Sequence, residues 1–309
     1  MRRIIGIGET IMDIIFKDQK PQSAVPGGSV FNGIASLAKM GLDVSMITEV
    51  GCDKVGDIIM QFMKDNGVNT DGVCRFSDGR SALSLAWLNE KNDAQYMFYK
   101  DYPKARLDVE WPVINKDDIV MMGSYFVLNP VLREKVLDFL KYAKQCGAII
   151  YYDFNFRSTH RAEAVKLYSS ILENLEFADI VRGSNEDFEN MFGYSDPEKV
   201  YKNEISFYCK NMIFTSGAGS IYIKTPSVTK EYEVASIPTV STIGAGDNFN
   251  AGVVYGLVKG NVGLKSLDTL DEGAWDSIVK CGIDLASDVC QSLSNSVSDS
   301  FAERYSEFK

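Results

Sequence analysis

The sequence predicts an α/β protein with a mainly parallel central sheet, helices on both faces and a small β-sheet lid. Short β-branched runs alternate with stretches of helical periodicity, which is typical of a parallel sheet covered by helices. One segment breaks this alternation with two strands and no helix between them. The 309 residues can bury a sizeable core, so we expect one domain over residues 1–309, with the lid contributed by about residues 10–26 and 80–106.

The alternation of strand and helix starts at the N-terminus and resumes after the two-strand segment. Predicted strands are short apolar runs, and predicted helices have apolar residues three or four positions apart. In order, the segments are RRIIGIG (strand), SVFNGIASLAKMG (helix), DVSMITEVG (strand), DKVGDIIMQFMKDNG (helix), DIVMMGS (strand), VLREKVLDFLKYAKQCG (helix), AIIYYDFN (strand), AVKLYSSILENL (helix), ADIVRGS (strand), NMIFTSG (strand) and GDNFNAGVVYGLVKG (helix).

The two-strand segment is SALSLAWLNEKNDAQYMFYK, residues 81–100, with the polar turn NEKND between its strands. An antiparallel hairpin of this kind often forms a sheet of its own. The stretch GETIMDIIF, which follows the first strand, can pair with it. We expect the resulting lid to cover the ends of the parallel strands, where open α/β sheets bind ligands.

Composition argues against several classes of function. The net charge of −10 leaves no basic excess for a nucleic acid, although a small anion needs only local donors. The six cysteines form no C-x-x-C pair and His160 has no cysteine nearby, so we expect neither a zinc site nor a disulfide framework, and the thiols fit a reducing cytoplasm. No apolar run approaches the length of a membrane span. The N-terminal segment is interrupted by Glu9 and Asp13, and it predicts a strand rather than a signal peptide.

Two common phosphate-binding motifs are absent from the sequence. Gly6 and Gly8 could begin a G-x-G-x-x-G pattern, but its third position is Ile11 and no helix start follows. A dehydrogenase is therefore disfavoured. No G-x-x-x-x-G-K-[ST] occurs in the chain.

Residues 241–252, STIGAGDNFNAG, offer a different anion site. The backbone amides of Gly244, Ala245 and Gly246 would be free at the start of a predicted helix, and together with the helix dipole they can bind an anion. Asp247 would lie beside that anion and could accept a proton from a hydroxyl group, which is the arrangement that phosphoryl transfer to an alcohol needs. The alternative is a plain helix start, in which glycine supplies the turn and Asp247 favours the positive end of the dipole.

The stretch STIGAGDNFNAGVV resembles the C-terminal signature of the PfkB family of carbohydrate kinases, also called the ribokinase-like family, with Ser241 where the family usually has aspartate. The N-terminal signature is present as well. Its matching residues, at the family's spacing, are Gly27, Gly28, Asn32, Gly41, Gly51, Asp53 and Gly56. The resemblance covers essentially the whole chain, and it implies a ribokinase-like fold and the phosphorylation of a sugar by ATP.

The resemblance also implies roles for individual residues in the sugar half of the site. Asp247 is implied as the catalytic base, and the amides of residues 244–246 as the anion hole. The implied sugar-binding residues are Asp13, Gly27, Gly28, Asn32 and Arg157, the last within DFNFR, which resembles the family's D-x-N-x-R. Without the resemblance, Asp13 would be read as an exposed lid residue, Asn32 as a helix cap and Arg157 as a surface arginine.

In the nucleotide half, RGSNEDFENMFG resembles the family's N-x-x-E motif, with Ser184 and Asp187 at its two positions. A shift of one residue in this alignment stays open. The resemblance implies that Ser184 lies at the nucleotide and that Asp187 organises hydrated Mg²⁺ near the phosphates of ATP.

The stretch FTSGAGS resembles the family's T-x-G-x-x-G turn, on which the nucleotide lies. Thr215 and Gly217 match this pattern, while Ser220 stands where the second glycine is usual. The usual aspartate at position 241 can help to bind a monovalent cation, so Ser241 leaves open whether such a cation activates the enzyme.

The identity of the sugar stays open in the sequence. Lys100 ends the lid strand where kinases of sugar acids and of fructose often carry arginine, which favours a neutral sugar. We expect phosphorylation of a primary hydroxyl of fructose, with 2-keto-3-deoxygluconate next and ribose after it. A nucleoside kinase of the same family would stack its base on Tyr96, Phe98 or Trp87.

The alternative from another class is a sugar-binding regulator without catalysis, against which the retention of Asp247 argues. The lid has open edges and an apolar face, and this predicts a homodimer formed through the lid.

Overall fold

The computed structural model describes residues 2–89, 94–217 and 219–308. Its strands form two sheets. The large sheet contains β1 (Arg3–Ile7), β4 (Asp43–Gly51), β5 (Val73–Phe76), β8 (Ile119–Gly123), β9 (Ile149–Asp153), β10 (Ile180–Ser184), β11 (Met212–Thr215), β12 (Ser220–Lys224) and β13 (Thr229–Glu233). The small sheet contains β2 (Ile11–Lys17), β3 (Lys20–Gly27), β6 (Arg80–Leu88) and β7 (Ala94–Asp101).

The α-helices lie on both faces of the large sheet. They are α1 (Ser29–Lys39), α2 (Lys54–Asp65), α3 (Arg133–Gln145), α4 (Ala164–Phe177), α5 (Asn185–Phe192), α6 (Pro197–Val200), α7 (Ala245–Lys259), α8 (Glu272–Val289) and α9 (Asp299–Tyr305). Residues of α1, α2, α7 and α8 share one apolar core, and residues of α3, α4 and α5 share the core on the opposite face. No helix in the described ranges is both long enough and apolar enough to cross a membrane.

The large sheet has the strand order β13-β12-β11-β10-β9-β8-β1-β4-β5. All neighbours from β11 to β5 are parallel, and β12 and β13 pair antiparallel at one edge. The predicted fold class is therefore confirmed. The central strands β8 and β9 are buried at every position, as expected for parallel strands that are covered on both faces.

The small sheet has the order β3-β2-β6-β7 and confirms the predicted hairpin, because β6 and β7 pair antiparallel. The strand from GETIMDIIF pairs with β6 as predicted, in parallel orientation. Most of the predicted turn NEKND lies outside the described residues. The register places Asp13 beside Ser84, so both side chains point to the same face of the sheet.

Gly6 and Gly8, which failed to complete a dinucleotide motif, let α1 approach β1 closely. A Cβ atom on Gly6 would lie 2.6 Å from the Ile34 side chain, and one on Gly8 would lie 2.9 Å from Val30. These glycines therefore have a packing role, and they bring the N-terminal turns of α1 to the end of β1.

Helix α7 is buried from Asp247 to Leu257, which requires close contact with α8. A Cβ atom on Gly252 would lie 2.3 Å from the carbonyl oxygen of Cys281 and 2.6 Å from the Cα atom of Gly282. Small residues at this crossing fix the depth at which α7 sits, and with it the position of Asp247.

We expect Gly252→Ala to lower the free energy of unfolding by about 2 kcal/mol, because the added methyl group meets backbone atoms that cannot move independently. The matched control is Gly273→Ala in α8, where the nearest atom to an added Cβ is 3.7 Å away. That control should be neutral or slightly stabilising, since alanine is the better helix former. Urea unfolding measures both, and equal stability of the two variants would contradict the packing argument.

Candidate active site

Helix α7 begins directly after Gly244, whose φ of 77° and ψ of −2° place it in the left-handed region. Glycine is suited to this position, because an L side chain there would be strained, and a Cβ atom would lie 3.1 Å from the carbonyl oxygen of Asn295. No side chain caps this helix. The first-turn amides are therefore not taken by a capping side chain.

Two of the three amides predicted for the anion site are free. Within the described part of the chain, no acceptor takes the amide of Gly244 or of Gly246. The Ala245 amide donates to the carbonyl oxygen of Thr242 at 3.2 Å, because the chain turns tightly into α7. The expectation of three free amides is thus corrected at Ala245, so the predicted anion site would consist of two flanking donors and the helix dipole.

Asp247 lies in the first turn of α7 and is buried. Its Oδ2 accepts a hydrogen bond from Asn32 Nδ2 at 2.7 Å. Burial raises the pKa of Asp247 from 3.8 to about 6, although the Asn32 hydrogen bond and the charge of Arg157 oppose the shift. The pKa of this carboxyl group therefore lies close to neutral pH, where a general base is most effective.

Asn32 is an internal residue of α1 rather than its cap, because its own amide donates to the Gly28 carbonyl at 2.8 Å. Gly28 precedes the helix with a φ of 132°, and a Cβ atom there would lie 2.1 Å from the carbonyl oxygen of Glu9. The alternative reading of Asn32 as a helix cap is wrong. Its buried side chain instead spans the gap from α1 to α7.

Asp13 lies on β2 and is buried, so it is not the exposed lid residue that its sequence context alone suggests. Its two oxygens accept hydrogen bonds from Ser84 Oγ and from Asn295 Nδ2, the latter at 2.9 Å. Burial raises the pKa of Asp13 to about 6. A Cβ atom on Gly27 would lie 2.1 Å from Asp13 Oδ2, so glycine leaves the space that this carboxylate occupies.

Arg157 follows β9 and faces the lid across the cleft. Its side chain is exposed, and its Cζ atom lies 5.8 Å from the centre of the Tyr96 ring. Its charge opposes the rise in pKa at both Asp13 and Asp247. The surface interpretation of Arg157 agrees with its exposure, and its guanidinium is also close enough to Asp13, Asp247 and Tyr96 to act on them electrostatically.

The nucleotide-half residues follow the carboxyl ends of β10 and β11. Ser184 caps α5, and Asp187 completes a capping box with it. The oxygens of Asp187 accept from the Phe156 amide at 2.6 Å and from the Ser184 amide at 2.7 Å. Gly217, with a φ of 57°, forms the turn between β11 and β12, and Thr215 ends β11. These residues therefore lie at or just beyond the carboxyl ends of two neighbouring parallel strands.

Sequence reasoning did not single out four polar residues that the structure brings to these side chains. Ser84 and Asn295 donate hydrogen bonds to Asp13, and Arg182 and Asn250 both donate to Asp153. A charge within the otherwise apolar strand ADIVRGS was a signal for Arg182. Ser84 and Asn295 carry no comparable signal, since their partners depend on strand register and on a distant loop.

The lid is packed directly on the anion loop. Ile15, Ala86 and Leu88 from the lid form one buried cluster with Ile243, which lies just before Gly244. The loop that precedes α7 therefore has an apolar anchor in the lid.

Comparison with known proteins identifies the family. A profile of pfkB family carbohydrate kinases matches residues 1–296. The chain belongs to this family. The sugar kinase is 27% identical over 266 residues to a probable chloroplastic fructokinase-6 of Arabidopsis thaliana, covering 81% of this chain and 69% of that protein. It is also 27% identical over 248 residues to a 5-dehydro-2-deoxygluconokinase of Geobacillus thermodenitrificans, covering 76% and 72%.

Solved structures of other kinases share the fold of this sugar kinase. The aminoimidazole riboside kinase of Salmonella enterica, complexed with aminoimidazole riboside and an ATP analogue, superposes with a TM-score of 0.82 at 20% identity over 98% of both chains. The fructokinase of Vibrio cholerae, bound to fructose, ADP and calcium, gives 0.82 at 18% identity over 99% of both chains. The predicted ribokinase-like fold is confirmed.

The raised pKa of Asp247 predicts how stability depends on pH. Between about pH 4 and pH 6 the folded protein holds a proton that the unfolded chain releases, so stability falls as the pH rises through this range. Asp247→Asn removes this penalty and keeps an acceptor for Asn32. We expect its free energy of unfolding at about pH 8 to exceed that of the wild type by about 3 kcal/mol, with little difference at about pH 4.

Urea unfolding at the two pH values measures this effect. The control is Asp57→Asn, also in the first turn of a helix but with a side chain 56% exposed and paired with Arg75. It should give no gain at the higher pH. An Asp247→Asn variant less stable than the wild type at about pH 8 would contradict the assignment of a buried, disfavoured charge.

Proposed function

We propose that this sugar kinase transfers the γ-phosphoryl group of ATP to a primary hydroxyl of a monosaccharide, with Asp247 as the catalytic base. The observation that carries the proposal is the position of the buried Asp247 carboxylate, in the first turn of a helix whose Gly244 and Gly246 amides are free. A base and an anion site thus lie within one turn of chain. Phosphoryl transfer to an alcohol needs both.

The sugar would bind between the lid and the large sheet. Asp13 is held by Ser84 and Asn295 so that its carboxylate is fixed, and it can accept hydrogen bonds from sugar hydroxyls. Asn32 has a buried Oδ1 with no partner among the described residues, which leaves it an acceptor for the sugar. With the sugar oriented in this way, Asp247 takes the proton from the attacking hydroxyl while the free amides stabilise charge on the transferred group.

ATP and Mg²⁺ fit the nucleotide half. The Gly217 turn and the free amides of the anion site can approach phosphate oxygens closely, since none carries a bulky side chain. The described residues contain no group of three or more acidic, histidine or cysteine side chains that could hold a metal ion, so Mg²⁺ would be held mainly by phosphates and water. Asp187 can contribute through water with the acceptor capacity that its capping contacts leave.

A neutral sugar, with fructose first, suits the lid best. Lys100 Nζ lies 2.7 Å from Glu9 Oε2, so its charge is already neutralised and is not offered to a sugar carboxylate. Fructokinases are among the relatives, and a sugar-acid kinase is also among them. We rank 2-keto-3-deoxygluconate second because Arg157 is still exposed to the cleft.

A nucleoside or riboside is a further candidate, and one observation favours it. The rings of Tyr96 and Phe98 are stacked at 5.7 Å with an angle of 4° between their planes, and Phe98 is 38% exposed. A flat aromatic surface in the lid can stack on a base.

Measurement of ADP release from Mg-ATP with a panel of sugars tests the proposal. The panel contains fructose, ribose, 2-keto-3-deoxygluconate, tagatose 6-phosphate and adenosine. One of them should stimulate turnover, and Asp247→Ala should lower kcat by about 10³-fold, in the range typical of a lost general base. Because protonated Asp247 cannot accept a proton, kcat/KM should also fall below about pH 6.

Asp57→Ala serves as the control in the same assay and should retain wild-type turnover. Turnover that survives Asp247→Ala would refute the role of the base. If sugars bind by calorimetry but none stimulates ADP release, the non-catalytic regulator becomes the better description.

We also propose that two copies associate through the outer face of the lid. This face has apolar side chains along adjacent strands, and Met97 and Tyr99 are 50% and 53% exposed. The residues that share the face by strand register are Ile14, Phe16, Leu85, Trp87, Met97 and Tyr99. These side chains form one contiguous apolar patch rather than scattered exposed residues. A patch of this kind favours association with a second copy of the chain.

Light scattering at micromolar protein concentration tests this association. The wild type should be a dimer, and the double variant Met97→Lys with Tyr99→Lys should be a monomer, because like charges would face each other. Val131→Lys, at a residue 63% exposed outside the lid, is the control and should leave the mass unchanged. A monomeric wild type would rule the lid dimer out.

A further inference from the structure

Arg182 lies within β10, a strand that is otherwise apolar at its buried positions. Its side chain is only 9% exposed. Burying a guanidinium costs free energy unless its charge is paired. Arg182 therefore needs partners in the interior of the protein.

The guanidinium of Arg182 joins two parts of the candidate site. Nη2 donates to Thr215 Oγ1 at 2.7 Å, at the end of the strand that leads into the nucleotide turn. On the other side, the two terminal nitrogens would lie 3.2 Å and 3.3 Å from a Cβ atom on Gly246. Arg182 therefore packs against the backbone of residue 246, and a side chain at that position would require the guanidinium to shift by a few tenths of an ångström.

The charge of Arg182 is paired by Asp153, whose Oδ1 accepts from Nη1 at 3.0 Å. The other oxygen of Asp153 accepts from Asn250 Nδ2 at 2.9 Å, and Tyr151 donates to Asn250 Oδ1 at 2.8 Å. Asn250 lies on α7, one turn after Asp247. The network thus ties strand β9, strand β10 and helix α7 together beneath the anion site.

One nitrogen of Arg182 makes no hydrogen bond within the described part of the chain. Its Nε is buried and has no hydrogen-bond partner among the described residues. An unpaired charged donor in the interior is unfavourable, and additional negative charge nearby would relieve that cost. The group that brings negative charge to this place under the proposed function is the phosphoryl group of ATP.

We propose that Arg182 is a positioning residue for phosphoryl transfer, which holds the anion site and the Thr215 turn at a fixed separation and supplies positive charge behind them. The inference rests on the proposed function and deepens it. A planar guanidinium suits the role because its two terminal nitrogens donate to Thr215 and Asp153 while both lie against Gly246, whereas an ammonium group is a single point of contact. The charge acts on the transferred group through a water-excluded interior, where electrostatic effects are strong.

Calorimetric titration with two nucleotides tests the inference without a sugar. The ligands are Mg-ADP and the magnesium complex of the β,γ-imido analogue of ATP. Arg182→Met should weaken binding of the analogue by about 30-fold or more and binding of ADP by less than about 5-fold, since only the analogue has a γ-phosphoryl group. Arg182→Lys should recover part of the lost affinity for the analogue, because lysine restores the positive charge but not the forked geometry of the guanidinium.

Kinetics with the sugar found in the panel provide a second readout. Arg182→Met should lower kcat about 100-fold, as for the loss of one preorganised donor, with KM for the sugar changed less than about 3-fold. Charged or titratable groups that act on Asp247 are Arg157, Asp153, Tyr96 and Arg182 itself. Removing the Arg182 cation should therefore move the acid limb of kcat/KM to higher pH, and Arg182→Lys should move it less.

The control is Arg133→Met, which removes another largely buried arginine with a carboxylate partner, Glu173, far from the anion loop in the chain. It should lower stability but leave analogue binding and the acid limb unchanged. Equal losses of ADP and analogue affinity in Arg182→Met, or an unmoved acid limb, would reduce Arg182 to a structural residue and overturn the inference. Turnover retained by Asp247→Ala would instead overturn the proposed function, so the two failures are distinguishable.

Discussion

A carboxylate that is buried in a protein needs a hydrogen-bond donor. Asn32 on α1 supplies one to Asp247 on α7, across the contact between the two helices. The remaining architecture keeps this contact in place. Gly33 lets α1 approach α7, with an added Cβ 3.1 Å from the Asp247 carbonyl oxygen, and Gly252 lets α7 approach α8. The two helices begin at opposite ends of the chain, so the site exists only after the whole domain has assembled.

The second carboxylate is held by the same principle with different elements. Asp13 is on the lid, and its donors come from another lid strand and from Asn295 near the C-terminus. Asn295 also accepts from Asn248 on α7 through its backbone carbonyl at 2.9 Å. Asn295 therefore contacts both the lid carboxylate and the helix that carries Asp247. The two acidic groups are positioned relative to each other by neutral amide side chains, which avoid adding charge to a buried region.

Much of this architecture could be predicted from the sequence, because the decisive features are local. The strand–helix alternation, the hairpin and the glycines around Asp247 are each contained within a short stretch. Other features depend on tertiary contacts that no short stretch contains. The pairing of Asp13 with Ser84 follows from strand register, and the loss of the Ala245 amide follows from the tightness of one turn. Strands β12 and β13 were not predicted, since their side chains alternate in burial at the edge of the sheet.

The packing of Ile243 against the lid has a consequence for the order of events in a catalytic cycle. Under the proposed function, a sugar enters between the lid and the large sheet. Movement of the lid away from the sheet would expose Ile243 to water and remove the apolar anchor of the loop before α7. The proposed anion hole would lose this support while the cleft is open, so hydrolysis of ATP by water would be restrained until the lid closes over a sugar.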